Sequence, residues 1–111
     1  MTEQTTVVRI TDLAEELLLE AKRQHSRRAA KTVATGVALR ATLIALAEGA
    51  ELGEHDAPAG ATLHTLTGRI RLHTRGNEWV LEAGQLTPTP RQRHGLTALT
   101  DAVVLLTVAL R

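Results

Sequence analysis

Residues Gly49 to Gly68 read GAELGEHDAPAGATLHTLTG. The first half is charged and turn-prone, and carries Glu54, His55 and Asp56 in a row before Pro58 and Gly60 interrupt it. The second half holds β-branched Thr62, Thr65 and Thr67 and stops at Gly68, the composition of a short strand closed by a turn. An acid–histidine–acid triplet at the entrance to a strand describes a polar site on the rim of a sheet. A second stretch, Gly84 to His94 (GQLTPTPRQRH), has the same construction: a glycine, two prolines and a terminal histidine.

Between the two lies the sharpest local pattern in the chain. Arg69 to Thr74 alternates basic residues or histidine with Ile, Leu and Thr, and Arg75-Gly76-Asn77-Glu78 then turns. Gly-Asn is a two-residue hairpin signal. Closing the hairpin there pairs Thr74 with Trp79, Leu72 with Leu81 and Arg71 with Glu82. One face then holds Ile70, Leu72, Thr74, Trp79, Leu81 and Ala83, and the other is charged. Trp79 is expected to anchor the core at the hairpin end.

The spacing of the two outer stretches resembles the paired motifs of the cupin family. The first motif, G-x5-H-x-H-x3-E-x6-G, is met by Gly49, His55 and Gly68, with Ala57 and Ala61 at the second histidine and the glutamate. The second, G-x5-P-x-G-x2-H-x3-N, is met by Gly84 and Pro90; Gln92 replaces its glycine and His94 comes one residue early. The resemblance covers about half the chain and implies an all-β fold, a small double-stranded β-helix or jelly-roll barrel. It also implies that His55 and His94 converge at the barrel mouth, and that the protein is a homodimer, as small cupins often are.

Upstream, Ile10, Leu13, Ala14, Leu17, Leu18 and Ala21 recur at the helical period, while Asp12, Glu15, Glu16, Lys22 and Arg23 face away. Thr11 and Asp12 offer N-cap chemistry, and an edge strand is expected at Val7–Ile10. Five basic residues fall between Lys22 and Lys31, with His25 and Ser26 among them. They read as a helix end and a solvated loop; no aromatic residue interleaves to stack a base, which argues against nucleic acid. Lys31 to Glu48 is ambiguous, because Ala and Leu favour helix and Val33, Thr35, Val37, Thr42 and Ile44 favour strand. The cupin resemblance decides for strands. The expected division is an N-terminal arm and helix over 1–32 and a barrel over 33–111. Downstream, Pro88 and Pro90 forbid a central strand, and Ala102 to Leu110 reads as a strand with both faces covered.

The whole chain of 111 residues suits one domain, with a net charge of +1 that favours no polyanion. It has no cysteine, so thiolate metal sites are excluded, and Trp79 is its only aromatic residue. No apolar run reaches the length of a membrane span and no signal pattern opens the chain, so a soluble, cytoplasmic protein is expected. A lone Ser26 without flanking glycines offers no nucleophile elbow. His64 reads as an exposed strand histidine and His73 as part of the charged hairpin face.

The candidate site that the cupin resemblance implies is a pocket of His55, His94, Leu63, Thr65, Leu72 and Leu81, with His55 and His94 as the metal ligands if a metal binds. With Ala57 and Ala61 unable to donate, the expectation is no cofactor, or a weakly bound divalent metal. Two readings follow: a non-catalytic cupin that binds a small molecule, or a metal-dependent oxygenase or isomerase with an atypical centre. A third, a regulatory or DNA-associated module acting through Lys22–Lys31 and the Arg71 face, would show steep salt dependence of DNA binding.

Overall fold

The computed structural model describes residues 6–57 and 60–110. Helix α1, Ile10–Arg23, buries Ala14, Leu17 and Ala21, with Ile10, Leu13 and Leu18 beside them. Two alanines on this stripe let the helix lie close to the sheet beneath it. The helix starts at Ile10, so Thr11 and Asp12 sit in its first turn and no side chain caps it. Residues 6–9 are irregular chain, and the strand expected at Val7–Ile10 does not form. Burying Ile10 on the helical stripe outweighs the one hydrogen bond a threonine or aspartate cap would add.

Nine strands follow: β1 (Arg28–Thr35), β2 (Leu39–Leu46), β3 (Glu51–His55), β4 (Ala61–Thr67), β5 (Arg69–His73), β6 (Glu78–Glu82), β7 (Leu86–Pro88), β8 (His94–Ala98) and β9 (Ala102–Ala109). The ambiguous Lys31–Glu48 stretch is thus strand, turning at Gly36. The first strand begins at Arg28, upstream of the expected start at Val33, and so crosses the boundary drawn between arm and barrel. Hydrogen bonding arranges the strands in two antiparallel sheets, β1-β2-β9-β4-β7 and β3-β8-β5-β6. Among the described residues these sheets do not close into one barrel; they face each other as a sandwich.

Two cores result. Ile44, Leu46, Leu63, Ile70, Leu72, Leu81, Leu96 and Val104 meet between the sheets. On the outer side of the five-stranded sheet, Leu43, Ala45 and Val103 pack against Ala14, Leu17 and Ala21 of α1. The last strand is therefore covered on both faces over its first half, by the second sheet and by the helix. Each fully buried Leu or Val here stabilises the fold by about 1.5–3 kcal/mol.

The β5–β6 hairpin forms, but two residues out of the expected register. Leu72 pairs with Trp79, Ile70 with Leu81 and Arg69 with Glu82. The turn centres on Arg75-Gly76, closed by the Thr74 amide donating to the Asn77 carbonyl at 2.9 Å. A slip of two preserves the faces, because side chains alternate with a period of two. It changes the ion pairs: Glu82 meets Arg69 at 3.4 Å, and Arg71 meets Glu78 at 3.2 Å. Trp79 shares the face of Leu72 but is 43% exposed, so it is not a core anchor. It lies near the start of β6, the last strand of its sheet, whereas Leu81 on the same face is buried.

Candidate functional site

His94 opens β8 and His55 ends β3, and the two are direct partners across those strands. Leu96 and Leu52 are also partners, and both face the inter-sheet core. Leu52 and His55 are three residues apart, which in a regular strand would turn them to opposite faces. A β-bulge between them restores His55 to the inner side. Gly53 sits inside that irregularity, and an isolated glycine within a strand is the sequence signal that could have found it.

The two imidazoles meet edge to face, with ring centroids 4.7 Å apart and planes at 64°. His94 is 4% exposed, whereas His55 lies open at the rim. His94 Nδ1 is 2.9 Å from the Gln92 carbonyl oxygen, and His55 Nδ1 is 3.1 Å from that of Gly53. A carbonyl only accepts, so each Nδ1 carries the proton and donates it. In the neutral rings both Nε2 atoms are then acceptors, and neither has a hydrogen-bond partner among the described residues. No sequence pattern marks the two carbonyls that fix this tautomer.

Beneath the pair lies a cavity of about 20 Å³, lined by both histidines with Leu52, Leu63, Leu72, Thr89 and Leu96 among others. That is room for water, against the ~300–1,000 Å³ of a typical ligand pocket. Of the four other residues named from the sequence, Leu63 and Leu72 line this cavity. Thr65 and Leu81 do not: both are buried deeper in the sandwich, and the Thr65 hydroxyl has no partner among the described residues. The expected interior pocket is filled because leucines from both sheets interdigitate below the histidines. Thr89, between Pro88 and Pro90, joins the lining unannounced by any motif.

The other potential donors point elsewhere. Glu54 and Asp56 are exposed, and Arg93 holds both ends of that segment, contacting Asp56 Oδ1 at 3.5 Å and donating to the Glu54 carbonyl at 3.0 Å. His64 alternates with inward-facing Leu63 and lies on the outer face of β4, and His73 lies outside on β5 opposite Gly95. Among the described residues no three histidine, aspartate or glutamate side chains gather as a metal site. Two imidazoles do not satisfy the three or four protein donors that a tightly held transition metal takes, so this donor set does not fit the metal centre the motifs imply.

No protein-family model matches the chain, and no curated protein matches it. Solved structures do. A conserved protein of unknown function from Streptococcus pyogenes superposes with a TM-score of 0.72 at 20% identity, over 97% of this chain and 90% of that one. An RmlC-like cupin from Shewanella frigidimarina gives 0.68 at 21%, over 76% and 77%. A cupin-2 domain protein from the same organism gives 0.70 at 15%, over 93% and 94%. The chain has the cupin fold. At these identities the likeness carries architecture and nothing of activity. His55 and His94 sit at one end of the inter-sheet core, with alanines at 57 and 61 where the motif of the cupin family has donors.

Proposed function

We propose that this chain is a small cupin, its two sheets the halves of one flattened jelly roll, that binds a polar ligand at the mouth through His55 and His94 without a tightly held metal. The observation that carries this is the pair itself: two rings at 4.7 Å, each with Nδ1 committed to a backbone carbonyl. Both Nε2 atoms are left to accept. A neutral pair therefore suits a ligand that donates, such as a vicinal diol. A fully ionised anion, which only accepts, matches neither Nε2. The filled interior confines the ligand to the rim. The metal-dependent oxygenase or isomerase reading has less support, because it needs donors that the described residues do not bring to the pair.

Two measurements test this. Elemental analysis of protein purified without chelator is expected to show no stoichiometric metal. One iron, nickel, manganese or zinc per chain, lost in both His55→Ala and His94→Ala, would restore the enzyme reading. Imidazole proton NMR with ethylene glycol is expected to move the His55 and His94 resonances together. Movement of neither resonance would remove the ligand reading.

A further inference from the structure

Helix α1 packs chiefly on β1 and β2 and touches β9 less. Along its flank toward β9 and β4 runs a groove of about 520 Å³. Buried Ala14 and Val103 line it together with half-buried Leu18 and Leu66. Ala14 contributes only a methyl group there, which leaves the space open. The volume falls within the ~300–1,000 Å³ of a ligand pocket, as the small cavity beneath the histidines does not.

The groove carries a charge that nothing nearby balances. Glu15 borders it between Thr11 and Leu18, which follow it along one line of the helix at i, i+4 and i+7. Glu15 is exposed and makes no ion pair among the described residues. Its own helix offers none, because the positions three and four away are Thr11, Asp12, Leu18 and Leu19. It also lies past the first helical turn, which Asp12 occupies, so the helix dipole does little for it. The other carboxylate on the groove, Asp101, is already matched by Lys22 at 2.9 Å. An apolar surface is thus joined to one unmatched negative charge.

We propose that this groove is a second binding site, for a small organic cation of single charge: a primary amine with an aromatic or branched aliphatic body. The body lies against Ala14, Leu18, Leu66 and Val103, and the ammonium group meets Glu15. Other chemistries fit worse. A ligand carboxylate would be repelled by Glu15 and Asp101. A neutral apolar ligand would cover Glu15 without giving it a partner, which costs free energy. A second positive charge would find Asp101 already taken by Lys22. The ammonium group has three N–H donors, and the hydroxyls of Thr11 and Thr67, also on the groove, add acceptors to the Glu15 carboxylate. The site lies on the outer side of the five-stranded sheet, whereas His55 and His94 sit at the end of the core between the sheets, so neither site rests on the other.

Three probes of one shape test the charge: 2-phenylethylamine, 2-phenylethanol and 3-phenylpropionate, titrated against the full chain and followed by methyl NMR. The amine is expected to shift the methyl signals of Leu18, Leu66 and Val103 and to leave the ring signals of His55 and His94 in place. It is expected to bind about fivefold or more tightly than the alcohol, as a charge-assisted hydrogen bond should give, and the acid more weakly than either. Glu15→Gln is expected to bring the amine down to the level of the alcohol. Thr11→Lys gives Glu15 an ammonium group from its own helix, four residues away, and is expected to do the same with the circular dichroism spectrum unchanged. No methyl shift with amine up to about 10 mM, a dissociation constant too weak for a built site, overturns the proposal. So does equal binding of amine and alcohol, which would make the groove a plain apolar docking surface, and so does amine binding that survives both variants.

Discussion

Gly95 occupies the register at which the second cupin motif places a histidine, and its surroundings explain why none could sit there. A Cβ at this position would approach the Leu52 carbonyl oxygen to 2.8 Å, His73 Cε1 to 2.9 Å and the Glu54 amide nitrogen to 3.3 Å. The first and last of these are the backbone of the bulge that turns His55 inward, so a side chain here and the histidine pair compete for the same space. Residue 95 also faces outward, on the opposite side of β8 from His94. Gly95→His is therefore expected to add no ligand to the pair. It should cost about 1–3 kcal/mol through displaced backbone. Thermal unfolding should show a Tm lower by several degrees, and zinc titration should match that of the parent. A tighter zinc site in the variant would show that the strand had shifted register to admit the third imidazole.

At the scale of elements, Asp101 fastens the end of α1 to the sandwich. Its carboxylate meets Lys22 Nζ at 2.9 Å and accepts the Glu48 amide at 2.8 Å, tying the helix, the β2–β3 turn and the approach to β9 together. The hydrogen bond from Lys22, then that from Glu48, holds the Asp101 carboxyl below the ordinary carboxylate range. A carboxylate depressed in the folded state adds stability above its unfolded pKa of about 3.9 and loses it as pH falls through the folded value. The side chain is 37% exposed, so solvent screening limits the contribution to about 1 kcal/mol or less. Asp101→Asn is expected to be less stable than the parent at pH 7, with the gap closing below pH 4. Urea melts of both proteins at pH 7 and pH 3 measure it; a gap that persists undiminished at pH 3 would assign the effect to shape instead of charge.

Across the whole molecule, strands β2 and β9 belong to both cores: Ile44, Leu46 and Val104 face the second sheet, while Leu43, Ala45 and Val103 face α1. The helix therefore has no core of its own, and residues 1–32 are not expected to melt as a separate arm. Trp79 stands on the four-stranded sheet, far in topology from the helix on the five-stranded one, and as the only aromatic residue it is a clean reporter. Helical ellipticity and Trp79 fluorescence are expected to follow one coincident denaturation curve, the signature of a two-state unit. A helix signal lost at lower denaturant would separate the arm from the sandwich.

The residues by themselves determined what depends on short-range periodicity. The apolar stripe from Ile10 to Ala21 specified α1, the alternation from Ile70 to Leu81 specified a hairpin and its faces, and Pro88 with Pro90 ruled out a central strand. The glycine and histidine spacing, which reflects turns at Gly49, Gly68 and Gly84 with positive φ, pointed to the cupin architecture. Tertiary structure decided what depends on distant neighbours. The hairpin register, Trp79 at the open end of its sheet and the strands over 28–46 were all set by which other strands were there to be paired. So was the site. His55 and His94 share a face only through a bulge opposite Gly95, and the space below them is closed by leucines from both sheets, whose packing no local pattern encodes.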